Sequence, residues 1–470
     1  MAESGEDVAS PSAKRCRLNE KAITISLLSF SGRQLCKAQV YLHDRAAVLW
    51  KSLMLSHLGS NWDLVWQDAK LSFSCRISDL GLQDGCSILA LRRGQACVGT
   101  IAATLEAFAG ITIDGGVVCW GKSAWGGDPG GILNELTAGV VEVVGNNKAF
   151  AAIKENRSVV TWGDPLHGGD SSKARQQLAS GVSKVVGSGY IFSGGAFAAI
   201  REDGSVVCWG HAESGGNCCD VFSQLSSDVF DVVGGGGAFA ALKNTGSVVC
   251  WGCAINGGRA PPDVWENVVK VFSNPKAFGA IKHDGEVVCW GHTGCGGDCR
   301  AVGVLAPEGT CISSCSMGFA ALRPDGSVIC WGSPIVTNMG RVDSCLTEVV
   351  SIAGSSYAFA ALRDNGSVVC WGRGTTAAPE GLAGVAKIFS NGYAFAALTN
   401  TGSVVTWGMA RHGGDSSSVS HLLSSDVVTI IGGGYAFAAL KSDGSVVCWG
   451  HHECGGNVSS TDGVRFAVST

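Results

Sequence analysis

Ala436-Phe437-Ala438-Ala439-Leu440-Lys441-Ser442-Asp443-Gly444-Ser445-Val446-Val447-Cys448-Trp449-Gly450 is the last of nine copies of one pattern in this 470-residue chain. The copies are anchored by Trp120, Trp162, Trp209, Trp251, Trp290, Trp331, Trp371, Trp407 and Trp449, spaced 36 to 47 residues apart. Short β patterns at a period near 40 mark a propeller or a related repeat array. The Asp443-Gly444 pair favours positive φ and predicts a two-residue hairpin turn. With that turn Leu440 faces Val447, Ala438 faces Trp449, Phe437 faces Gly450 and Ala439 faces Cys448, so a large residue meets a small one on both faces. Both faces are apolar, which requires a neighbour on each side, as blades around an axis provide. The nine Trp and nine Phe residues therefore read as core between blades, not as a ligand-stacking box.

Composition agrees. Hydrophobic residues make up 46% of the chain, enough to exclude wholesale disorder. Charged residues are only 16% and glycines number 68, as turn-rich β repeats require. A net charge of −5 and a pI near 6.1 give no support to a nucleic-acid partner. The acidic N-terminus lacks an apolar signal region, and no stretch approaches the ~18 apolar residues of a membrane span. The expectation is a cytoplasmic chain with no membrane partner. Pro11-Ser12-Ala13-Lys14-Arg15-Cys16-Arg17-Leu18 resembles a short nuclear import signal, which adds the nucleus as a second compartment.

Seven of the 21 cysteines precede a repeat tryptophan: Cys119, Cys208, Cys250, Cys289, Cys330, Cys370 and Cys448. Thr161 and Thr406 fill the same slot in the other two units. A slot that takes either residue wants a small side chain in a strand. One thiol per blade also leaves slot cysteines too far apart to bridge, since Cα atoms must lie within ~7 Å. Reduced, structural thiols are expected.

Ahead of the repeats, residues 1–20 form a polar tail and 21–94 a separate domain. Residues 22–27 and 36–42 alternate as a β-hairpin, and 46–58 carry apolar residues at helical spacing. Leu64-Val65-Trp66 is a short strand, 79–85 a turn and 87–91 a last strand. The order is that of a β-grasp fold. The closing run from Leu82 to Gly94, Leu-Gln-Asp-Gly-Cys-Ser-Ile-Leu-Ala-Leu-Arg-Arg-Gly, resembles the last strand and tail of ubiquitin-like domains. That resemblance implies a sheet face read by ubiquitin-pathway proteins. Alternation along the last strand puts Ile88 inward and leaves Leu89 and Leu91 outward beside Val65 as the docking patch. Gly94 is followed by Gln95 and another 375 residues, which predicts a docking module rather than a conjugated modifier. Only Gln95 and Ala96 link it to the repeats.

Over residues 97–470 the succession of Ala-Leu, Asp-Gly and Trp-Gly resembles the regulator-of-chromosome-condensation repeat family. The period of about 41 residues is shorter than that family's blade and resembles the three-stranded units of propeller-type β-lactamase inhibitors. The expected fold is mainly β: a β-propeller of about nine short three-stranded units, preceded by a small α+β ubiquitin-like β-grasp domain. The family's rings usually have seven blades, so nine units leave closure open. Gly463-Val464-Arg465-Phe466-Ala467-Val468 matches the first strand of a further unit and could pair back onto the first blade. Residues 97–103 already fill that place, however.

Six loops after the Trp-Gly end in Gly-Gly-Asp/Asn, at Asp128, Asp170, Asn217, Asp298, Asp415 and Asn457. Asx after paired glycines is ordinary turn chemistry; a ring of acidic rim groups gripping a cation or a basic partner is the second reading. Cys295, Cys299, Cys311 and Cys315, with His292, have zinc-like spacings, yet the pairs fall on different segments of one repeat. His451, His452 and Cys454 read as a solvated loop. No metal, cofactor or catalytic residue is expected, because no nucleophile elbow, His-Glu-x-x-His or Walker loop is present.

The reading of function is a non-catalytic protein-interaction scaffold of the ubiquitin pathway, with the propeller holding a client. HERC-type ubiquitin ligases contain similar propellers but add a HECT domain, whereas here the chain ends 20 residues after Gly450. Two alternatives come from the same resemblance. One is a guanine-nucleotide exchange factor for a small GTPase, with the insertion at Gly189-Tyr190-Ile191-Phe192 as its wedge. The other is a propeller-type protein inhibitor.

Overall fold

The computed structural model describes residues 23–28, 34–40, 62–66, 69–70, 86–92, 101–190, 193–261, 266–338, 345–373, 377–457 and 464–468. The chain divides into two compact units, Met1–Cys97 and Val98–Thr470. Among the described residues no helix is long and apolar enough to cross a membrane.

In the first unit five strands, β1 (Ile23–Leu28), β2 (Gln34–Val40), β3 (Trp62–Trp66), β4 (Ala69–Lys70) and β5 (Ser87–Arg92), form one sheet in the order β2-β1-β5-β3-β4. β1 and β2 are antiparallel, β1 and β5 parallel. Ile25, Leu27 and Ile88 are buried. The expected tail over 1–20, helix over 46–58 and turn over 79–85 lie outside the described residues, as does the linker.

Among the described residues the second unit forms nine three-stranded antiparallel sheets. Their middle strands are Ala107–Ile111, Ala149–Lys154, Ala196–Arg201, Ala238–Lys243, Ala277–Lys282, Gly318–Leu322, Ala358–Arg363, Ala394–Thr399 and Ala436–Lys441, which number blades one to nine. In each blade the first strand is innermost, because the ends of all nine converge on one cavity of about 420 Å³.

The hairpin register differs from the expected one by a residue. Phe437 pairs with Trp449, Ala438 with Cys448, Ala439 with Val447 and Leu440 with Val446. The loop is three residues, Ser442-Asp443-Gly444, closed by Lys441 N–H to Ser445 O at 2.9 Å. Gly444 supplies a left-handed third position at φ +81, and Asp443 Oδ1 accepts the Ser445 N–H at 2.9 Å. Such loops, a turn followed by a left-handed glycine, are the next commonest hairpin closure after the two-residue type.

The shift changes how the core fills. Phe and Trp stand opposite each other on one face, with ring centroids 5.2 to 5.7 Å apart in the nine blades. The other face carries small residues and one Leu or Ile. Large meets small between blades instead of within one: Phe437, Ala439, Val447 and Trp449 pack on Ala394, Ala396 and Leu398 of the eighth blade. The repeat aromatics are buried core, as expected.

Loops following the outer strands tie each blade to the next. In seven of them a glycine held at φ between +90 and +104 lies over the next blade's Phe: Gly126, Gly168, Gly215, Gly257, Gly296, Gly413 and Gly455. A Cβ there would sit about 2.5–2.7 Å from the ring, so only glycine fits. Five of these glycine carbonyls also accept the next blade's indole N–H at 3.0–3.1 Å. The slot cysteines serve the same junctions, since Cys119 packs in one cluster with Trp162 and Cys250 in one with Trp290.

The ring closes. Gly455 of the last loop lies over Phe108 of the first blade, and Cys448 packs in one cluster with Trp120. One cluster joins Ile101, Phe108 and Trp120 to Ala436, Ala438, Leu440, Val446, Cys448 and Phe466. The two claimants for the first blade's inner strand divide it. Ile101–Ala103 pairs with Gly110, Ala109 and Phe108, whereas Phe466 bridges Thr112. Phe466 N–H donates to Gly444 O at 2.8 Å, as Val427 N–H donates to Gly402 O at 3.0 Å one blade earlier. Phe466 thus stands where the ninth blade has Val427.

Candidate functional site

Antiparallel pairing puts the residue before each middle strand and the residue after each outer strand at the same end of the blade. Backbone hydrogen bonds of 2.8–3.1 Å join them in all nine: Lys122 to Glu106, Asp164 to Lys148, His211 to Gly195, Cys253 to Gly237, His292 to Lys276, Ser333 to Met317, Arg373 to Tyr357, Met409 to Tyr393 and His451 to Tyr435. Neighbouring blades are stitched at this end too, by Leu105 N–H to Asn147 O, Ser356 N–H to Gly392 O and Gly434 N–H to Leu105 O. The nine ends therefore form one face around the axis. Its frame is constant, yet the residue before the middle strand reads Glu, Lys, Gly, Gly, Lys, Met, Tyr, Tyr, Tyr around the ring.

Four of the chain's five tyrosines gather here: Tyr190, Tyr357, Tyr393 and Tyr435. Tyr393 and Tyr435 stack at 5.7 Å, and His412 lies 4.9 Å from one and 5.1 Å from the other. His451 is 6.4 Å from His412 and 5.3 Å from His452. Burial, then His451 and Arg411, push the His412 imidazole down, which favours its neutral form. Burial and the neighbouring Tyr393 and Glu106 push the Tyr435 phenol up to about 12, so it remains a hydroxyl donor at neutral pH. On the first two blades Lys122 pairs with Glu106 at 2.5 Å, and Lys122 and Lys148 cover the Trp125 ring at 4.7 and 5.2 Å.

Tyr190 belongs to the insertion in the third blade; burial above all pushes its phenol up, with Ser316 of the sixth blade and Tyr357 of the seventh near enough to act on it. Asn147 Nδ2 holds the insertion from the second blade by donating to Tyr190 O at 3.1 Å and Ser193 O at 2.9 Å. Gly189 N–H donates to Gly235 O at 2.9 Å. The described part of the insertion therefore turns inward over the axis. Ile191 and Phe192 lie outside the described residues.

The sequence-selected rim residues behave as turn formers. Asp128 accepts from Gly130 N–H at 2.9 Å, Asp170 from Ser172 at 2.8 Å, Asn217 from Cys219 at 3.0 Å, Asp298 from Arg300 at 3.1 Å and Asp415 from Ser417 at 2.9 Å. Asn457 is exposed. In the first unit Val65 and Leu89 are direct partners across β3 and β5, and Leu91 pairs with Asp63; the side chains of Val65, Leu89 and Leu91 lie outside the described residues. Cys295 and Cys299 are buried at one end of their loop and Cys315 in the next strand. Among the described residues no three His, Cys, Asp or Glu side chains converge on a metal position. In the loop holding His451, His452 and Cys454, His452 is exposed as expected, whereas Cys454 is buried.

Sequence reasoning passed over the axial face, although its signal is present: a single changing position next to an almost unchanging Ala-Phe. No protein-family model and no curated protein matches this chain. Among solved structures it is similar to the ectodomain of the receptor kinase CR4 from Physcomitrella patens, at 20% identity and a TM-score of 0.38, over 57% of this chain and 73% of that one. It is similar to Prp20p from Saccharomyces cerevisiae, at 13% identity and a TM-score of 0.37, over 72% and 92% of the two chains. A further likeness is to yeast RCC1 (Prp20) in its structure with Kap60, at 12% identity and a TM-score of 0.38, over 78% and 95%.

Proposed function

We propose that this chain is a non-catalytic protein-interaction scaffold whose ring grips a client protein on its axial face. The observation that carries the reading is the contrast between nine equivalent frames and the divergent side chains they present at one end. Folding needs the frame, and repeat arrays use such faces for recognition. Tyrosine and arginine are enriched where proteins bind proteins, and Tyr357, Tyr393, Tyr435 and Arg373 stand side by side on blades seven to nine. Capture of clients by the full chain, compared with the Tyr393→Ala/Tyr435→Ala double variant, tests this. The variant should keep its melting temperature within a few degrees and lose the client set. Retention of the same clients at the same yield would refute the reading.

Within this scaffold the first unit is assigned to ubiquitin-pathway docking through Val65, Leu89 and Leu91, supported by the strand order and by the register of Val65 with Leu89. Leu89→Asp in the full chain should then remove ubiquitin-handling proteins from the captured set while the ring's clients remain. The exchange-factor reading rests on a wedge at 189–192. The inward hydrogen bonds of Gly189 and Tyr190 leave it less support than the scaffold has.

A further inference from the structure

Ten residues after the Cys/Thr slot, the loop returns against its own outer strand. In the second blade Thr161 Oγ1 lies 2.9 Å from Ser171 Oγ, and in the eighth Thr406 Oγ1 lies 3.0 Å from Ser416 Oγ. Both threonines also donate to a loop glycine carbonyl, Gly169 at 3.0 Å and Gly414 at 3.2 Å. The slot therefore faces a partner position close enough for side chains to touch. Two other blades carry the same spacing in cysteine, Cys208 with Cys218 and Cys289 with Cys299. Each pair packs within a single cluster, and after burial the loop-side thiol is the next group that pushes its strand-side partner's pKa up. Cys299 Sγ also lies 3.5 Å from Val287 O, on the strand that carries Cys289. The pairing goes by kind, hydroxyl with hydroxyl and thiol with thiol. Where the slot cysteine has no second thiol, as at Cys119 and Cys250, the position ten residues on is Pro129 or Ala260.

We propose that Cys208 with Cys218, and Cys289 with Cys299, are oxidation sites: dithiols that a peroxide closes into disulfides within one blade. The loop-side thiolate attacks the peroxide O–O bond, giving a sulfenic acid and one water. The strand-side sulfur then attacks the sulfenic sulfur, forms the S–S bond and expels hydroxide, which leaves as a second water with the remaining thiol proton. Two thiols lose two electrons, and one peroxide gains them. In the first pair Cys218 is suited to the opening step, because the hydrogen bond from Cys208 holds its thiol below the usual range. Cys208 is pushed up by burial and suits the resolving role. In a reducing compartment such a bond is transient, formed under oxidant and reversed by thiol exchange.

The test treats the reduced full-length protein with stoichiometric hydrogen peroxide, alkylates the remaining thiols under denaturing conditions and maps disulfide-linked peptides by mass. The expected result is two links, Cys208–Cys218 and Cys289–Cys299, with Cys119, Cys250 and Cys448 alkylated. Cys218→Ser and Cys299→Ser should fold, because each rebuilds the hydroxyl side of the pair used in blades two and eight. Each should abolish only its own link. The proposal fails if both pairs remain alkylatable, if Cys218 or Cys299 goes on to sulfinic acid without a link, or if the exposed neighbour Cys219 carries the link to Cys208 instead.

Discussion

Replacing Gly455 by Ala tests whether the ring is closed, because this glycine joins the last loop to the first blade. Its φ is +90, and a Cβ would lie 2.6 Å from Phe108 Cδ2 and 2.9 Å from Cε2. An L-residue in the left-handed region costs about 1–2 kcal/mol. Phe108 is 0% exposed and stacked on Trp120 at 5.4 Å, so the ring has nowhere to retreat. Overpacking of that kind adds about 1–3 kcal/mol, for a total of roughly 2–5 kcal/mol. Two controls bracket the value. Gly215 has φ +94 and the same 2.6 Å approach to Phe239 at an internal junction, so Gly215→Ala should cost as much. Gly303 has φ +71 with nothing within 4 Å, and Gly303→Ala should cost only the backbone share, about 1–2 kcal/mol. Equilibrium urea unfolding followed by tryptophan fluorescence measures all three as midpoint shifts at constant slope. If Gly455→Ala falls with Gly303→Ala while Gly215→Ala costs clearly more, the last loop does not seat on the first blade and the closed ring is wrong.

Trp290, 4% exposed and donating to Gly257 O at 3.0 Å, should cost about 3–5 kcal/mol on truncation to Ala. Trp125 is half-buried on the axial face, and Trp125→Ala should cost well under half as much in the same melts. Phe466→Ala empties the shared inner strand at a fully buried site and should also cost about 3–5 kcal/mol; a loss under 1 kcal/mol would remove the C-terminal segment from the closure. Burial pushes the Cys119, Cys250 and Cys448 thiols from 9.0 up to about 12. The unfolded chain therefore ionises them first as pH rises, so their contribution is complete below about pH 9 and falls away between about pH 9 and 12. Urea midpoints should drop across that window, and less so in Cys448→Thr, which carries the residue of the second and eighth slots.

The repeat, its period and its buried aromatics were legible because nine copies of Phe and Trp at matched positions admit one explanation. The register was not. Asp443-Gly444 suits both a two-residue turn and the last two places of a three-residue loop, and only the position of Lys441 opposite Ser445 separates them. Closure hid for a related reason: residues 97–103 and Val464 to Val468 both match an inner strand, and local pattern cannot say that each fills part of one. The axial face is hard to see in a repeat pattern because Tyr357, Tyr393 and Tyr435 mark it by failing to repeat the Glu and Lys of earlier blades. The thiol pairs are not legible in the slot alone, because what joins position i to i+10 is the loop folding back on its own outer strand.

The first blade receives its neighbour last. Phe108 and Trp120 emerge early in synthesis, but Gly455, Cys448 and Phe466 arrive about 350 residues later. At ordinary elongation speeds that is roughly 20–70 s. Throughout that interval the aromatic face of blade one lacks the small-residue face that covers it in the finished ring, while every later blade docks on a predecessor already made. Nascent chains thus carry one persistent apolar surface at a fixed place. Burial of that surface therefore waits on the last stretch of chain to be made, Cys448 to Phe466.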